Sequence, residues 1–449
     1  MMLTARRFVA LAAGAAMLAV SHAGTADAQE DDASLIEVEQ VASTPREDVP
    51  SALEDRNHPD FPQPLVDPEE IISGGPPPDG IPAIDEPRFL AAGDVDFLED
   101  QEPVVVVEVE GDVRAYPMQI MTWHEIVNDT IGGVPVTVTY CPLCNSAIAY
   151  HRELGDRILD FGTSGLLFNS ALVMYDRQTE SLWSHFTAEG IVGALAGEEL
   201  DVLPAPIVSW ESFRDANPDG LVLSRETGHE RNYGDNPYLG YDDVDSPPFL
   251  FDGEVDGRLA AKERVVGIGG DVDPVAVRRS ELAEAGVLEV DIDGEEVVVW
   301  HLPGTASGLE GGSVAGGRDV GAVGVFRPVV DGQELTFRHD GEGFVDEQTS
   351  SRWDIFGRAT SGPLEDSELE PVDHVDTFWF AWGAYQDDTR LVPQGAAEAE
   401  IADGDSGSSS SGTGPIVGGA ALIAALLLGG GFVAYRRVRS QAPMESSGV

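Results

Sequence analysis

Asp176-Arg177-Gln178-Thr179-Glu180-Ser181-Leu182-Trp183 is answered further along the chain by Asp346-Glu347-Gln348-Thr349-Ser350-Ser351-Arg352-Trp353, with Asp, Gln-Thr, Ser and Trp at the same spacing. Upstream of each lies a second match. Val105-Val-Val-Glu-Val-Glu-Gly-Asp-Val113 resembles Arg264-Val-Val-Gly-Ile-Gly-Gly-Asp-Val272, each reading as strand, Gly-Asp turn, strand. Between them Val134-Pro-Val-Thr-Val-Thr-Tyr140 is answered by Glu295-Glu-Val-Val-Val-Trp300, and each copy ends in an aromatic cluster, Trp210/Phe213 and Phe378/Trp379/Trp382. Matches that recur in one order predict an internal duplication. The short alternating runs, with 51 Gly and 29 Pro as turn formers, predict a mainly β (α+β) fold of two tandem related modules. Pro117–Val127 reads as the clearest helix, with Pro117 at its first position.

Around these modules the 449 residues divide by composition. Arg6-Arg7, the apolar run Phe8–Val20 and Ala26-Asp27-Ala28 read as an export signal over residues 1–28, by the Sec or the twin-arginine route. An acidic, Pro-rich arm follows over 29–70, then module one (71–225), a linker (226–261) and module two (262–392). Residues 393–415 form a Ser/Gly/acidic stalk, 416–435 an uncharged stretch long enough to span a bilayer, and 436–449 a tail opening on Arg436, Arg437 and Arg439. The positive-inside rule puts that tail in the cytoplasm and the modules outside.

The charge balance is 26 Lys+Arg against 80 Asp+Glu, a net −54, and Lys262 is the chain's sole lysine. Such a surface excludes nucleic acid and anionic membrane as electrostatic partners. Self-repulsion on this scale is tolerable where salt screens it, the Debye length being about 3 Å at 1 M. Acid excess with lysine depletion therefore reads as a halophile's extracellular protein.

Both cysteines lie in Cys141-Pro142-Leu143-Cys144, after a strand. A disulfide there closes a tiny loop, and the chain-entropy gain grows with loop length, so a staple is the weakest reading. A redox pair is one alternative. Against it, Asn145–His151 reads as a strand, whereas the helix of a thioredoxin-like site would stabilise a thiolate. A soft-metal site is the other: two thiolates need partners. On the predicted helix Ile120, His124 and Val127 share an inward face, which makes His124 the first candidate ligand. His185 and His151 are further options, and a buried histidine bonded to backbone is the plain alternative for His124. Outside the termini the methionines are Met118, Met121 and Met174, all in module one, where core filling is their default role. Thiolate, imidazole and thioether together suit a single copper or zinc ion. Module two has Trp300-His301-Leu302-Pro303 where module one has Tyr140-Cys141-Pro142, so it keeps the scaffold without the thiols.

Other polar groups are less specific. Gly74–Pro87 fixes two carboxylates, Asp79 and Asp85, though Asp79-Gly80 is also a turn signal. His124-Glu125 with Asn128-Asp129 reads as an acid–base group or as helix-ending residues, and Asn128-Asp129-Thr130 is a formal glycosylation sequon. No phosphate loop, nucleophile elbow or HExxH motif occurs.

Several of these stretches resemble the DUF3179 family of bacterial and archaeal proteins. They are Gly74-Gly75 with Asp79-Gly80-Ile81-Pro82-Ala83-Ile84-Asp85, Trp123-His124-Glu125 with Asn128-Asp129, Tyr140–Asn145, Phe161-Gly162 with Ser164-Gly165, Met174–Trp183, and Lys262-Glu263-Arg264-Val265. The likeness runs from about Ile71 to Val392. It implies that Asp79, Asp85, Asp176 and Lys262 belong with the cysteines, and it supplies no reaction. Two functional expectations result: a soft-metal or thiol-redox ectodomain on Cys141, Cys144 and His124, with Glu125, His185 and Met174 nearby; or a non-catalytic module binding a small molecule or protein between the repeats. Hydrolysis by His124 and Glu125 trails for want of a nucleophile. Lysine depletion in an arginine-using chain further predicts a specific partner for the Lys262 amine, such as a carboxylate of the other repeat.

Overall fold

The computed structural model describes residues 34–393 except 271 and 387, which fall in one compact unit. The export signal, most of the stalk and the apolar stretch 416–435 lie outside the described residues, and among those described no helix is long and apolar enough to cross a membrane.

The molecule is mainly β, built from several sheets. Strand Pro103–Val109 pairs with Asp112–Pro117 through Glu110-Gly111, both at positive φ, as the tight hairpins that match strand twist require. This hairpin is flanked by Ile207–Ser209 on one side and, in parallel, by Leu221–Leu223 on the other. The second half repeats the order: Arg264–Ile268 pairs with Val275–Arg278, flanked by His374–Phe378 and, again in parallel, by Arg390–Val392. A second sheet runs Ile126–Ile131, Val134–Cys141, Ser146–His151, Val202–Leu203 in the first half and Val287–Ile292, Glu295–Leu302, Ala322–Arg327, Glu370–Pro371 in the second. A third runs Phe161–Phe168, Ala171–Asp176, Leu182–Ser184, Gly190–Val192 against Phe337–His339, Phe344–Asp346, Arg352–Trp353, Ala359–Ser361. Four seven-residue helices sit at corresponding places: α1 (Met118–His124) and α2 (Trp210–Ala216), then α3 (Arg279–Ala285) and α4 (Trp379–Tyr385).

The expected helix is shorter than its sequence pattern. α1 stops at His124, Glu125 turns left-handed with φ 60°, and Val127, Asn128 and Asp129 enter a strand. The pattern over-reached because a fully buried strand is as apolar as a buried helical face. Pro117 precedes the helix as its cap residue and ends the preceding strand.

The arm wraps the first half through backbone bonds from Thr44, Glu47, Ala52 and Leu65 to Ile158, Gln178, Glu180 and Ile191. The halves share their cores. One cluster joins Trp210 and Val106 to Trp300 and Trp353; another joins both cysteines, Met174 and Trp183 to Phe378, Trp379 and Trp382.

Candidate functional site around the cysteine turn

Cys141 ends one strand and Cys144 lies in the turn to the next, both buried and free. Strand His374–Phe378 of the second half holds this turn. The Thr377 hydroxyl (2.7 Å) and the Phe378 amide (3.1 Å) both donate to the Cys144 carbonyl. From the linker, the Tyr241 hydroxyl donates to the Leu143 carbonyl at 3.0 Å.

The Cys144 thiol faces a chain of single-proton groups. Its Sγ lies 3.0 Å from Ser146 Oγ, which lies 2.8 Å from His185 Nε2; His185 Nδ1 lies 3.0 Å from Thr139 Oγ1. Counting protons orients the chain. Thr139 donates its only hydroxyl proton to the Ile148 carbonyl at 2.7 Å, so it accepts from Nδ1–H. Burial pushes His185 down to about 3, so the imidazole is neutral and its Nε2 accepts from Ser146. Ser146 then has only lone pairs left for the Cys144 S–H. A second, longer contact runs from Sγ to the Cys141 carbonyl, 3.8 Å. Burial first, and hydrogen bonding to Cys141 second, raise Cys144 well above the usual thiol range, so the resting group is the thiol. A proton leaving it has a wired acceptor.

His185, not His124, is the imidazole brought to the cysteines. His124 points inward, as its helical face predicted, but Nδ1 binds the Pro82 carbonyl (2.7 Å) and Nε2 the Tyr233 hydroxyl (2.6 Å), with the His229 ring packed against it. Burial lowers it to about 4. Among the described residues no three His, Cys, Asp or Glu side chains converge as ligands for an ion. Met174 shares the apolar cluster of the cysteines. His151 ends its strand half-buried.

Glu125 is fully enclosed in a left-handed conformation, where the corresponding residue of the second half is Gly286, φ 74°. A non-glycine residue there costs about 1 kcal/mol or more. Its carboxyl takes the Tyr238 hydroxyl at 3.1 Å, and burial, partly offset by that bond, raises it to about 7. The native carboxyl keeps its proton to about pH 7, whereas the unfolded one loses it near 4.5. Stability from this group is therefore full below about pH 4.5 and declines as pH rises to about 7, by roughly 3 kcal/mol. Denaturation curves of Glu125→Gln should lack that decline relative to the parent chain. An unchanged slope would refute it.

The remaining motif carboxylates are bound in place. Asp79 accepts from Tyr175 (2.6 Å) and pairs with Arg177 (3.3 Å); Asp85 accepts from Asn128 (2.7 Å) and pairs with the same Arg177. Asn128 is buried and also spans Phe161, so its sequon is closed to glycosylation in the folded chain. Asp176 binds its own loop. Asp129 is wholly buried against Arg114 and Tyr116, a pairing no local pattern announces. Lys262 does have specific partners, but they lie in the linker and are not carboxylates: the Tyr241 carbonyl, Ser246 Oγ (2.7 Å) and the Tyr241 ring (3.8 Å).

Residues 78–389 match the family model described as "Protein of unknown function (DUF3179)". No curated protein and no solved structure matches the chain.

Proposed function

Because the chain belongs to the DUF3179 family, whose description names no reaction, we propose a function from its own geometry: Cys141 and Cys144 are a buried dithiol that exchanges with small-molecule disulfides. The observation that carries this reading is the oriented chain from Cys144 through Ser146 to neutral His185. As Cys144 sulfur attacks one sulfur of the substrate disulfide, its proton passes to Ser146, whose own proton passes to His185 Nε2. The substrate S–S bond breaks, and the departing thiolate takes that proton from His185 and leaves as a thiol. Cys141 then attacks the Cys144 sulfur of the mixed disulfide, the mixed S–S bond breaks, and the second substrate sulfur leaves as a thiol with the Cys141 proton. The protein dithiol is oxidised to a disulfide and the substrate disulfide reduced to two thiols. A turn keeps residues i and i+3 within about 7 Å, in the range a disulfide bridges. Burial of both sulfurs restricts the substrate to a small molecule. Copper or zinc held by the two thiols is the competing occupancy.

The wider reading is an exported, C-terminally anchored ectodomain of two duplicated modules, the first carrying the thiols and the second bracing them. Like strand orders in the two halves, and the second-half bonds to the Cys144 carbonyl, support the duplication and the bracing. The terminal sequences support export and anchoring, and the acidic, lysine-poor composition supports work in molar salt.

One experiment addresses all of this. Protease applied outside intact cells in molar salt should release the modules, and chains equilibrated against glutathione buffers, then denatured and alkylated, should switch between two free thiols and none. Ser146→Ala should slow oxidation by about tenfold or more, since a proton relay contributes at least that much, without moving the midpoint. Thiols that stay reduced at every poise refute the redox reading, and a bound metal lost in Cys141→Ser replaces it. A second reading, capture of a ligand between the repeats, rests on a cavity of about 260 Å³ lined by Val106 and Pro206 from one half and Val325, Phe326 and Ile355 from the other.

A further inference from the structure

A cavity of about 530 Å³ lies where the linker meets the second half. Lys262, Arg264, Arg279 and Arg318 reach its wall, with Asp242 and His301 among the remaining lining groups. Four cations at one cavity are a notable share of a chain with 26 Lys+Arg against 80 Asp+Glu.

The scaffold does not require these charges. The first half builds the same framework with other residues. Arg264 opens its strand opposite Phe378, as Pro103 opens its strand opposite Ser209. Arg279 begins α3 where Met118 begins α1. The His301 amide bonds the residue that ends α3, Gly286, as the Tyr140 amide bonds the residue that ends α1, Glu125. Proline, methionine and tyrosine serve in one half, and arginine, arginine and histidine in the other. Arg279 is held by Asp376 and by the Val320 and Gly321 carbonyls, Arg264 by Asp242 and Ser307, and burial lowers His301 to about 4 and keeps it neutral, so the two halves fill these places with different chemistry.

Their hydrogen bonding is incomplete. Five wall carboxylates face the four cations, and all are engaged: Asp242 Oδ2 takes Arg264 (3.4 Å), Arg318 (3.1 Å) and Ser307, Asp243 takes the Asp245 amide (3.1 Å), Glu263 takes Arg278 (3.3 Å) and Ser280 (3.1 Å), Glu310 pairs with Arg318 (3.1 Å), and Asp319 takes the Gly304 and Gly321 amides. The terminal nitrogens of Arg264 and Arg279 are engaged, but the Nε of each and the His301 Nδ1 are buried without a partner, as are the acceptors Asp242 Oδ1 on the wall and Asp376 Oδ1 behind Arg279. Arg279 is 5% and His301 7% exposed, so water in bulk does not serve them. Spare donors beside fixed cations select a ligand rich in acceptor oxygens and carrying negative charge.

We propose that this cavity binds a small oxyanion, a phosphate or an organic carboxylate, gripped by Arg264, Arg279 and Arg318 with His301 completing the donor set. Lys262 shapes the mouth by holding the Tyr241–Ser246 stretch of the linker through the Tyr241 carbonyl and Ser246. Neither cysteine lines this site.

Calorimetric titration of the full chain in molar potassium chloride, with inorganic phosphate and separately with succinate, tests it. A saturable one-to-one heat is expected for at least one probe, the tighter of the two identifying the oxyanion class. Arg279→Met, which installs the residue the first half uses, should weaken binding about tenfold or more, the scale of one lost charge-assisted bond. Arg318→Gln, at a side chain 46% exposed and hence dispensable to folding, should weaken it about threefold at unchanged melting temperature. The proposal is overturned if neither probe saturates in the millimolar range, or if both variants bind as tightly as the parent chain.

Discussion

Arg114→Met should cost about 3–5 kcal/mol of unfolding free energy, because it leaves the Asp129 carboxylate buried without its counter-ion. Arg114 is 1% and Asp129 0% exposed. One guanidinium nitrogen donates to both Asp129 oxygens (2.8 and 2.7 Å), the others reach Asp112, and the group lies over the Phe89 ring at 4.8 Å. Tyr116 adds its hydroxyl to the same carboxylate at 2.6 Å. The second half shows what else this place tolerates. By strand register, Val275, Val277 and Val290 stand where Arg114, Tyr116 and Asp129 do, inside an aliphatic cluster. A buried ion pair need not stabilise relative to apolar residues of like volume. The triple variant Arg114→Met, Tyr116→Phe, Asp129→Leu should therefore regain most of the loss. Urea curves in molar salt decide it: if the triple variant is as unstable as the single one, the network itself, and not the stranded charge, carries the energy.

How much of this was legible beforehand depends on what each residue needs to meet. Strand hairpins announce themselves locally: the expected Gly111-Asp112 turn lies one residue from the Glu110-Gly111 turn that joins Pro103–Val109 to Asp112–Pro117. The end of α1 did not show, since Ile126 and Val127 continue an apolar pattern that a buried strand shares. Cys141-x-x-Cys144 was visible as a motif, but its imidazole, His185, stood only behind His124 among the candidates. His124 had helical geometry in its favour, yet the loop carrying Pro82 and the linker carrying Tyr233 take both of its nitrogens. His185 comes to the site because its backbone amide binds the Leu172 carbonyl and its carbonyl receives the Tyr150 hydroxyl, contacts between segments far apart in the chain. Ser146 carried no signal of its own, since Cys144 lies in the turn and the strand begins only at Ser146. The oxyanion pocket had a faint signal: a sole lysine beside Arg264, with Arg279, His301 and Arg318 brought in only by folding.

The stretch that fixed the fold makes the last prediction, that Asp176→Ala and Asp346→Ala are both strongly destabilising, by about 3–5 kcal/mol at the first site. Asp176 is fully buried and gathers the Thr179 amide (2.6 Å), the Thr179 hydroxyl (2.8 Å), the Ser181 amide (3.2 Å) and the Trp183 indole (2.9 Å). Asp346 gathers Thr349, Ser351 (2.9 Å) and Trp353 (3.2 Å) in the same way. The spacing is thus one carboxylate closing a loop and pinning a tryptophan. Removing it orphans four donors, and a buried donor without a partner costs about 1–3 kcal/mol. The sum is not additive, since the loop relaxes. Trp183 packs edge-on against Phe161 at 5.7 Å within the cluster that holds both cysteines. Asp176→Ala should therefore also loosen the thiols, read as faster alkylation of the native chain. Asp346→Ala, whose Trp353 packs on Phe337 in the other cluster, should destabilise without exposing them. Equal thiol protection in the two variants would show that the cysteine turn is held by the second-half strand alone, through Thr377 and Phe378.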